Sequence, residues 1–354
     1  MIKLTNKIKI LILKFIVNLL KKMRISILIP TKNRLTVVRE TLHNIYFVNK
    51  LPKEDFEVIV SNDGDDDLSK LLEEFPFDNM KIVKNTHNHG AAGNRNNAAD
   101  YAKNEILLFL DDDILITENF LERVIYIHNQ FNNIVLSGNR FYPQHLIEQA
   151  EQTSFGRYKL KYEYNWNTIK KNGELMYKLY DVNSLASFSI SMKREVYDKV
   201  GIFDENFDYA GCEDTEFSNR AIKNDIKLLY DENNICYHNE LDNFTLDSWL
   251  RRQSTGIRSA VVMCKLYPEG QNHSTWYTNT PIKASDSWNI KLLKLKKMFC
   301  SFPPVYNFLH FIAINGEKIK LPDSFLFKFY NALWLGATYR GFREAYKEIF
   351  INKK

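Results

Sequence analysis

Cysteine is scarce in this 354-residue chain. Cys212, Cys236, Cys264 and Cys300 are its four, and no two stand in C-x-x-C spacing. That excludes a disulfide scaffold and a structural zinc site, and points to a reducing compartment. No G-x-x-x-x-G-K-[ST] is present, and no G-x-G-x-x-G follows the first strand-like run. A P-loop nucleotide site and a dinucleotide fold are therefore both excluded. Internal repeats and low-complexity tracts are missing, and no apolar run reaches the roughly 20 residues that span a bilayer. What remains is the composition of a folded body, 45% hydrophobic and 14% aromatic, in one large domain with appendages or in two domains.

The net charge of +5 is unevenly placed. Residues 1–24 hold seven basic and no acidic residues, residues 277–354 hold 13 basic and 5 acidic, and the body between them carries −10. A nucleic-acid binder gathers positive charge around its site, so no nucleic-acid partner is expected. An acidic body suits cations, and basic ends suit an anionic surface. Residues 1–23 read as an amphipathic basic helix lying at a membrane interface, since Lys3, Asn6, Lys7, Lys14, Asn18 and Lys21 share one side and only Lys9 breaks the apolar face. A signal peptide competes with that reading but lacks a small-x-small cleavage site. A helix packed on its own domain also fits. Residues 261–354 read as a basic and aromatic helical region, broken into short helices at Pro303-Pro304 and at Asn315-Gly316. Such a mixture suits a membrane interface and equally a plain helical subdomain.

Between the ends, strand-like and helix-like segments alternate, which predicts a mainly parallel sheet covered by helices on both faces. Ile106 to Leu110 is a continuous apolar run, read as a strand buried on both faces. It delivers three consecutive carboxylates, Asp111, Asp112 and Asp113. These repel one another and resist burial unless a cation relieves them. Asp with Mg²⁺ or Mn²⁺ is a matched hard pair, and such sites take one or two carboxylates plus substrate phosphates. An acidic turn capping the helix near Thr117 accounts for the same residues. Two other strand ends carry polar loops, Thr31 to Arg34 and Asp63 with Gly64, and parallel strands place such ends on one edge, where ligands bind. Arg95 opens an alanine-rich helix and is a candidate for meeting phosphates. Glu213 and Asp214 begin another helix, either complementing its dipole or supplying a general base.

Taken in order, Ile27 to Arg34, Ser61 to Gly64, Asn94 to Asn96, Leu110 to Asp113, Val200 to Glu205 and Glu213-Asp214 resemble the signature of the GT-A glycosyltransferases of family 2, over roughly residues 24–260. The resemblance implies an α/β fold, a Rossmann-like GT-A domain flanked by helical basic extensions, that binds a nucleotide-sugar at its strand ends. By position, Asp63 matches the residue that reads the base, with Thr31, Asn33, Arg34, Arg95 and Asp112 around the donor nucleotide. Asp111 and Asp113 match the ends of the D-x-D motif that holds Mg²⁺ or Mn²⁺, with His238 as a third candidate. Asp214, with Glu213 beside it, matches the catalytic base. The segment from Ser184 to Ser191 resembles the one that frames the reacting sugars. One departure is Asn62, which stands where the family usually has an aspartate. The Gln-x-x-Arg-Trp motif of processive synthases is missing; Trp249 to Gln253 has its residue types in another order.

The resemblance thus implies an inverting, non-processive transferase. It would move one sugar from a nucleotide-sugar, with a UDP-sugar favoured, to a hydroxyl of a glycan acceptor; the basic, aromatic ends point to a lipid-linked glycan and to a peripheral place on the cytoplasmic face of the membrane, while a soluble glycan or protein acceptor also fits. A metal-dependent phosphodiesterase or nucleotidyltransferase also uses clustered aspartates on an α/β fold, and a non-catalytic binding module is a third reading.

Overall fold

The computed structural model describes residues 23–163, 171–176, 178–209, 211–239, 244–268 and 274–351. The amphipathic helix expected over residues 1–23 lies almost wholly outside them.

The first half of the described chain alternates strand and helix: β1 (Ile25–Thr31), α1 (Leu35–Phe47), β2 (Phe56–Asn62), α2 (Ser69–Glu74), β3 (Met80–Lys84), α3 (Ala91–Asp100), β4 (Ile106–Leu110), β5 (Ile114–Ile116), α4 (Phe120–Gln130) and β6 (Ile134–Phe141). There follow α5 (Gln144–Glu151), α6 (Ser154–Glu163), the antiparallel pair β7 (Lys171–Met176) and β8 (Leu179–Val182), β9 (Ser189–Lys193), α7 (Arg194–Val200), α8 (Glu213–Lys223) and β10 (Lys227–His238). The chain closes with α9 (Leu246–Leu266), α10 (Ser274–Asn279), α11 (Trp288–Ser301), α12 (Pro303–Lys318) and α13 (Asp323–Tyr346).

One sheet runs β3-β2-β1-β4-β9-β6-β10-β8-β7, with β5 paired to β10. The β3-β2-β1-β4 part is parallel, with Ile27 opposite Val58 on one side and Leu108 on the other. β9 then enters antiparallel to both β4 and β6. The period of two along a strand sorts the core. Ile25, Ile27, Ile29, Ile106, Leu108 and Leu110 join a cluster with α1 and α4, while Leu28, Leu107 and Phe109 join one with α3, α7 and α8. Both faces are thus covered, which is why β4 reads as an unbroken apolar run and is fully buried. The parallel strands finish together, so the loops after β1, β2 and β4 meet at one edge. Gly64 in the β2 loop is required by close approach, since a Cβ there would stand 2.2 Å from Asn33 Oδ1 and 2.5 Å from the Asn33 nitrogen.

The C-terminal helices form a third core with α6 and α9, where Phe155, Tyr158, Trp249, Leu326 and Tyr330 pack together. Arg157 ties α6 to α13 through Asp323, at 2.7 and 2.8 Å. The expected boundary at residue 260 falls inside the continuous helix α9. The break expected at Asn315-Gly316 does not occur, because α12 runs through it. The glycine serves helix packing instead, as a Cβ at Gly316 would lie 2.8 Å from Leu326 and 2.9 Å from Leu321. Among the described residues no helix is long and apolar enough to cross a membrane.

Candidate active site

A cavity of about 300 Å³ opens at the shared edge, lined by Thr31, Lys32 and Arg34 after β1, Asp63 after β2, Gly90, Ala91, Asn94 and Arg95 from the start of α3, Asp111 to Asp113 after β4, His238 at the end of β10, and Arg252 on α9. Residues from six separate stretches of sequence therefore meet in one place. They do so because parallel strands end on the same side of the sheet and β10, paired with β5, returns beside them.

The three aspartates have three environments. Asp111 faces the cavity with its side chain 31% exposed and accepts from Arg95 Nη2 at 2.7 Å. Asp112 is buried, accepting from Thr31 Oγ1 at 2.6 Å and from Arg34 Nη1 at 2.5 Å. Burial raises its pKa to about 7, against the pull of Arg34 and with a further push from Asp113. Asp113 is also buried, accepting from Arg34 Nη2 at 3.0 Å, with His238 Nε2 3.2 Å away. Burial opposes its ionisation, but His238 and Arg34 outweigh it and hold the pKa well below the usual carboxylate range.

Asp63 lines the same cavity from the loop after β2. Its carboxylate accepts from Lys32 Nζ at 3.0 Å, Asn85 Nδ2 at 2.8 Å and the Gly90 amide at 3.1 Å, with His89 Nδ1 at 2.6 Å. Burial works against the charge, yet these contacts lower its pKa to about 2. It is therefore a fixed acceptor.

Arg95 joins the two acidic clusters. Its side chain is buried, donating through Nη2 to Asp111 and through Nη1 to Glu213 Oε1 at 3.1 Å. Burial alone would lower the guanidinium's pKa, but those two carboxylates hold it above the ordinary value. Glu213 is fully occupied, because its Oε2 accepts from the Gly211 amide at 2.6 Å. Among the described residues, Asp214 beside it accepts only from its neighbour Thr215, at 2.7 Å from the amide. Burial first, and the Glu213 charge second, raise its pKa to about 6. Both stand on the first turn of α8, where the helix dipole favours acids. Cys212 precedes them in the left-handed region at φ 69°, and sharply redirects the chain into the helix.

Of the expected residues, Thr31, Arg34, Asp63, Arg95, Asp111, Asp112, Asp113 and His238 line the cavity. Glu213 joins through Arg95. Asn33 is exposed at φ 54° and spends its Oδ1 on the Asp65 amide at 2.7 Å, so it shapes the loop next to Asp63. Asp214 is not among the lining residues and lies one residue beyond the Arg95 link. Asp112 takes the structural place in the triplet, bonded to Thr31 and Arg34. Sequence reasoning does not single out Lys32, Asn94 or Arg252. Arg252 lies about 140 residues beyond the triplet in sequence, and only the packing of α9 brings it to the cavity.

The donor set fits a hard divalent cation. Asp113 Oδ1 is buried with His238 Nε2 3.2 Å away, and Asp111 supplies a carboxylate at the cavity wall. Among the described residues no three such groups form a complete cage by themselves. A site of this kind draws its remaining ligands from substrate phosphate oxygens.

A sheet of this topology with a polar cavity at its parallel strand ends is the GT-A architecture of the glycosyltransferases. Comparison with known proteins agrees. The sequence profile described as "Glycosyl transferase family 2" matches residues 26–201. The poly(ribitol-phosphate) beta-glucosyltransferase of Bacillus spizizenii is 37% identical over 106 residues, covering 28% of this chain and 16% of that protein. The UDP-Glc:alpha-D-GlcNAc-diphosphoundecaprenol beta-1,3-glucosyltransferase WfgD of Escherichia coli is 28% identical over 116 residues, 32% of this chain and 45% of that protein. The match therefore spans less than half the length of either relative. The solved mannosyltransferase PcManGT of Pyrobaculum calidifontis, in complex with GDP-Man and Mn²⁺, shares the fold with a TM-score of 0.54 at 15% identity, covering 90% of this chain and 87% of that one. The chain belongs to glycosyl transferase family 2 and is a glycosyltransferase enzyme.

Proposed function

We propose that this enzyme is an inverting, Mg²⁺- or Mn²⁺-dependent transferase. It moves one sugar from a nucleotide-sugar, with a UDP-sugar favoured, to a hydroxyl of a glycan or lipid-linked glycan during cell-surface polysaccharide synthesis. Its place is peripheral, on the cytoplasmic face of the membrane. The observation that carries this reading is the single cavity lined by both Asp63 and the Asp111–Asp113 cluster, with Arg95 linking that cluster to Glu213, next to Asp214. The WfgD relative's name supports a UDP-linked donor and a lipid-linked acceptor. PcManGT's complex supports a divalent metal with a sugar nucleotide.

In this reading Asp63 accepts a hydrogen bond from the N–H of the base, a task suited to a carboxylate held ionised. Asp111 and Asp113, with His238, would hold the divalent cation, which when bound neutralises charge on the donor diphosphate. Arg95 adds a fixed positive charge beside Asp111. Asp214 takes the proton from the acceptor hydroxyl as its oxygen forms the new bond to the anomeric carbon. The bond from that carbon to the diphosphate oxygen breaks, and the electron pair leaves with the nucleoside diphosphate. A pKa raised to about 6 leaves Asp214 mostly ionised at neutral pH yet basic enough to accept a proton. Both Glu213 oxygens are held, by Arg95 and by the Gly211 amide, so Glu213 is read as the partner of Arg95 and not as the nucleophile of a double displacement, which favours a single inverting step.

The test is a pair of measurements on purified enzyme. A thermal-shift panel of UDP-, GDP- and dTDP-sugars with Mn²⁺ should single out one donor, and the sugar product should have inverted anomeric configuration by NMR. Retention of configuration would overturn the mechanism.

A further inference from the structure

A helix on the surface of a folded protein normally sends apolar residues inward and lysines outward. Helix α11 is built the other way round. Lys294 and Lys297 are 1% and 6% exposed. Lys294 Nζ donates to Asp286 Oδ2 at 2.8 Å and to the Pro281 carbonyl at 3.1 Å. Lys297 Nζ donates to Thr278 Oγ1 at 2.9 Å and to Asn279 Oδ1 at 3.1 Å. The outward stripe is Trp288, Leu292, Leu295 and Phe299, spaced i, i+4, i+7 and i+11, so that they lie along one face. Trp288 is 77% and Phe299 65% exposed, and Phe302 at the helix end, with Phe308 and Phe311 of α12, are exposed in the same degree. Burying two ammonium groups is costly, and this helix does so while leaving five large apolar side chains in water. Exposed lysines accompany them: Lys296 on α11 itself, and Lys283, Lys318, Lys320 and Lys328 on the neighbouring segments.

We infer that the α11 stripe is a docking surface for an anionic lipid bilayer. Charge selects this occupant. Residues 277–354 carry a net +8, and a second copy packed on the same face by two-fold symmetry would bring two such regions together, whereas anionic headgroups neutralise them. Large apolar and aromatic residues flanked by lysines have the chemistry of an interfacial helix, which lies in the headgroup region without crossing it. The inference deepens the membrane-peripheral part of the proposed function, and vesicle binding is read separately from sugar transfer so that each can fail alone.

The experiment is sedimentation of the full chain with vesicles of phosphatidylcholine, with and without phosphatidylglycerol. The wild type should partition onto the anionic vesicles, more weakly as salt rises, and quenching by brominated lipid should be reduced in Trp288→Phe. The triple variant Leu292→Glu, Leu295→Glu, Phe299→Glu changes exposed positions only. It should lose more than ~10-fold in partitioning while keeping the wild-type melting temperature and transfer to a soluble acceptor. A wild type that stays off anionic vesicles would overturn the inference, as would a triple variant that binds them unchanged. So would a concentration-dependent dimer that the triple variant abolishes. Vesicle binding without any sugar transfer would instead leave the docking surface standing and remove the proposed function.

Discussion

The two acidic clusters invite comparison, because each is a run of adjacent carboxylates and the protein treats them differently. Asp111 to Asp113 end a buried strand and share two arginines, a threonine and a histidine among them. Glu213 and Asp214 begin a helix and share almost nothing: Glu213 takes Arg95 and the Gly211 amide, leaving Asp214 with its own neighbour. In the first cluster His238 and Arg34 hold Asp113 ionised while burial raises Asp112, and in the second burial and the Glu213 charge raise Asp214. Adjacent residues of the same type thus acquire separate chemistry from their surroundings.

That contrast is most directly broken by exchanging the roles. Asp214→Asn should lower transfer by ~10²–10⁴-fold, the usual worth of a general base, with donor affinity unchanged by calorimetry. Lost donor binding would move Asp214 into the wrong cluster. Asp113→Ala should do the reverse, weakening Mn²⁺-dependent donor binding by about 10–100-fold, and undiminished nucleotide affinity would remove it from the metal site. A finer test is the pH profile of transfer at saturating donor. A base works only when ionised, so the rate should climb tenfold per unit as pH rises toward about 6 and then level off. Glu213→Gln removes a negative neighbour that raises Asp214, so the rising limb should move to lower pH. A limb that stays in place would mean that burial alone sets this value. The smallest effect expected is that of Thr31→Val, which deletes one buried hydrogen bond to Asp112. It should cost about 1 kcal/mol of stability by denaturant unfolding, with little change in transfer.

Much of this arrangement was legible in the sequence, for physical reasons. An unbroken apolar run such as Ile106 to Leu110 has few fates besides a strand covered on both faces, and three carboxylates at its end need a use. The parallel strand ends and the two acid clusters followed from that. What escaped was set by contacts distant in the chain. Nothing local shows that Arg252 would reach the cavity, or that His89 and Asn85 would converge on Asp63. Asn315-Gly316 looks like a helix stop because glycine is a poor helix former, yet the demand for a close approach by Leu321 and Leu326 outweighed propensity. In the sequence of α11 lysines and large apolar residues are simply mixed, and only the three-dimensional partners Asp286, Thr278 and Asn279 reveal that two of the lysines point inward.

The Arg95 bridge has a consequence for redesign. A lysine could not replace it, since one ammonium cannot span Asp111 and Glu213 with the geometry of a planar fork, so any change at Arg95 retunes two carboxylate clusters at once. Asp63, by contrast, is held by Lys32, Asn85, His89 and the Gly90 amide, none of which bonds to Arg95, Asp111 or Glu213 among the described residues. Asp63 is tied to the triplet all the same, because its amide donates to the Thr31 carbonyl and the Thr31 hydroxyl donates to Asp112. A substitution in any one of these loops is therefore felt in the others, and redesigning this cavity means rebuilding several residues in concert.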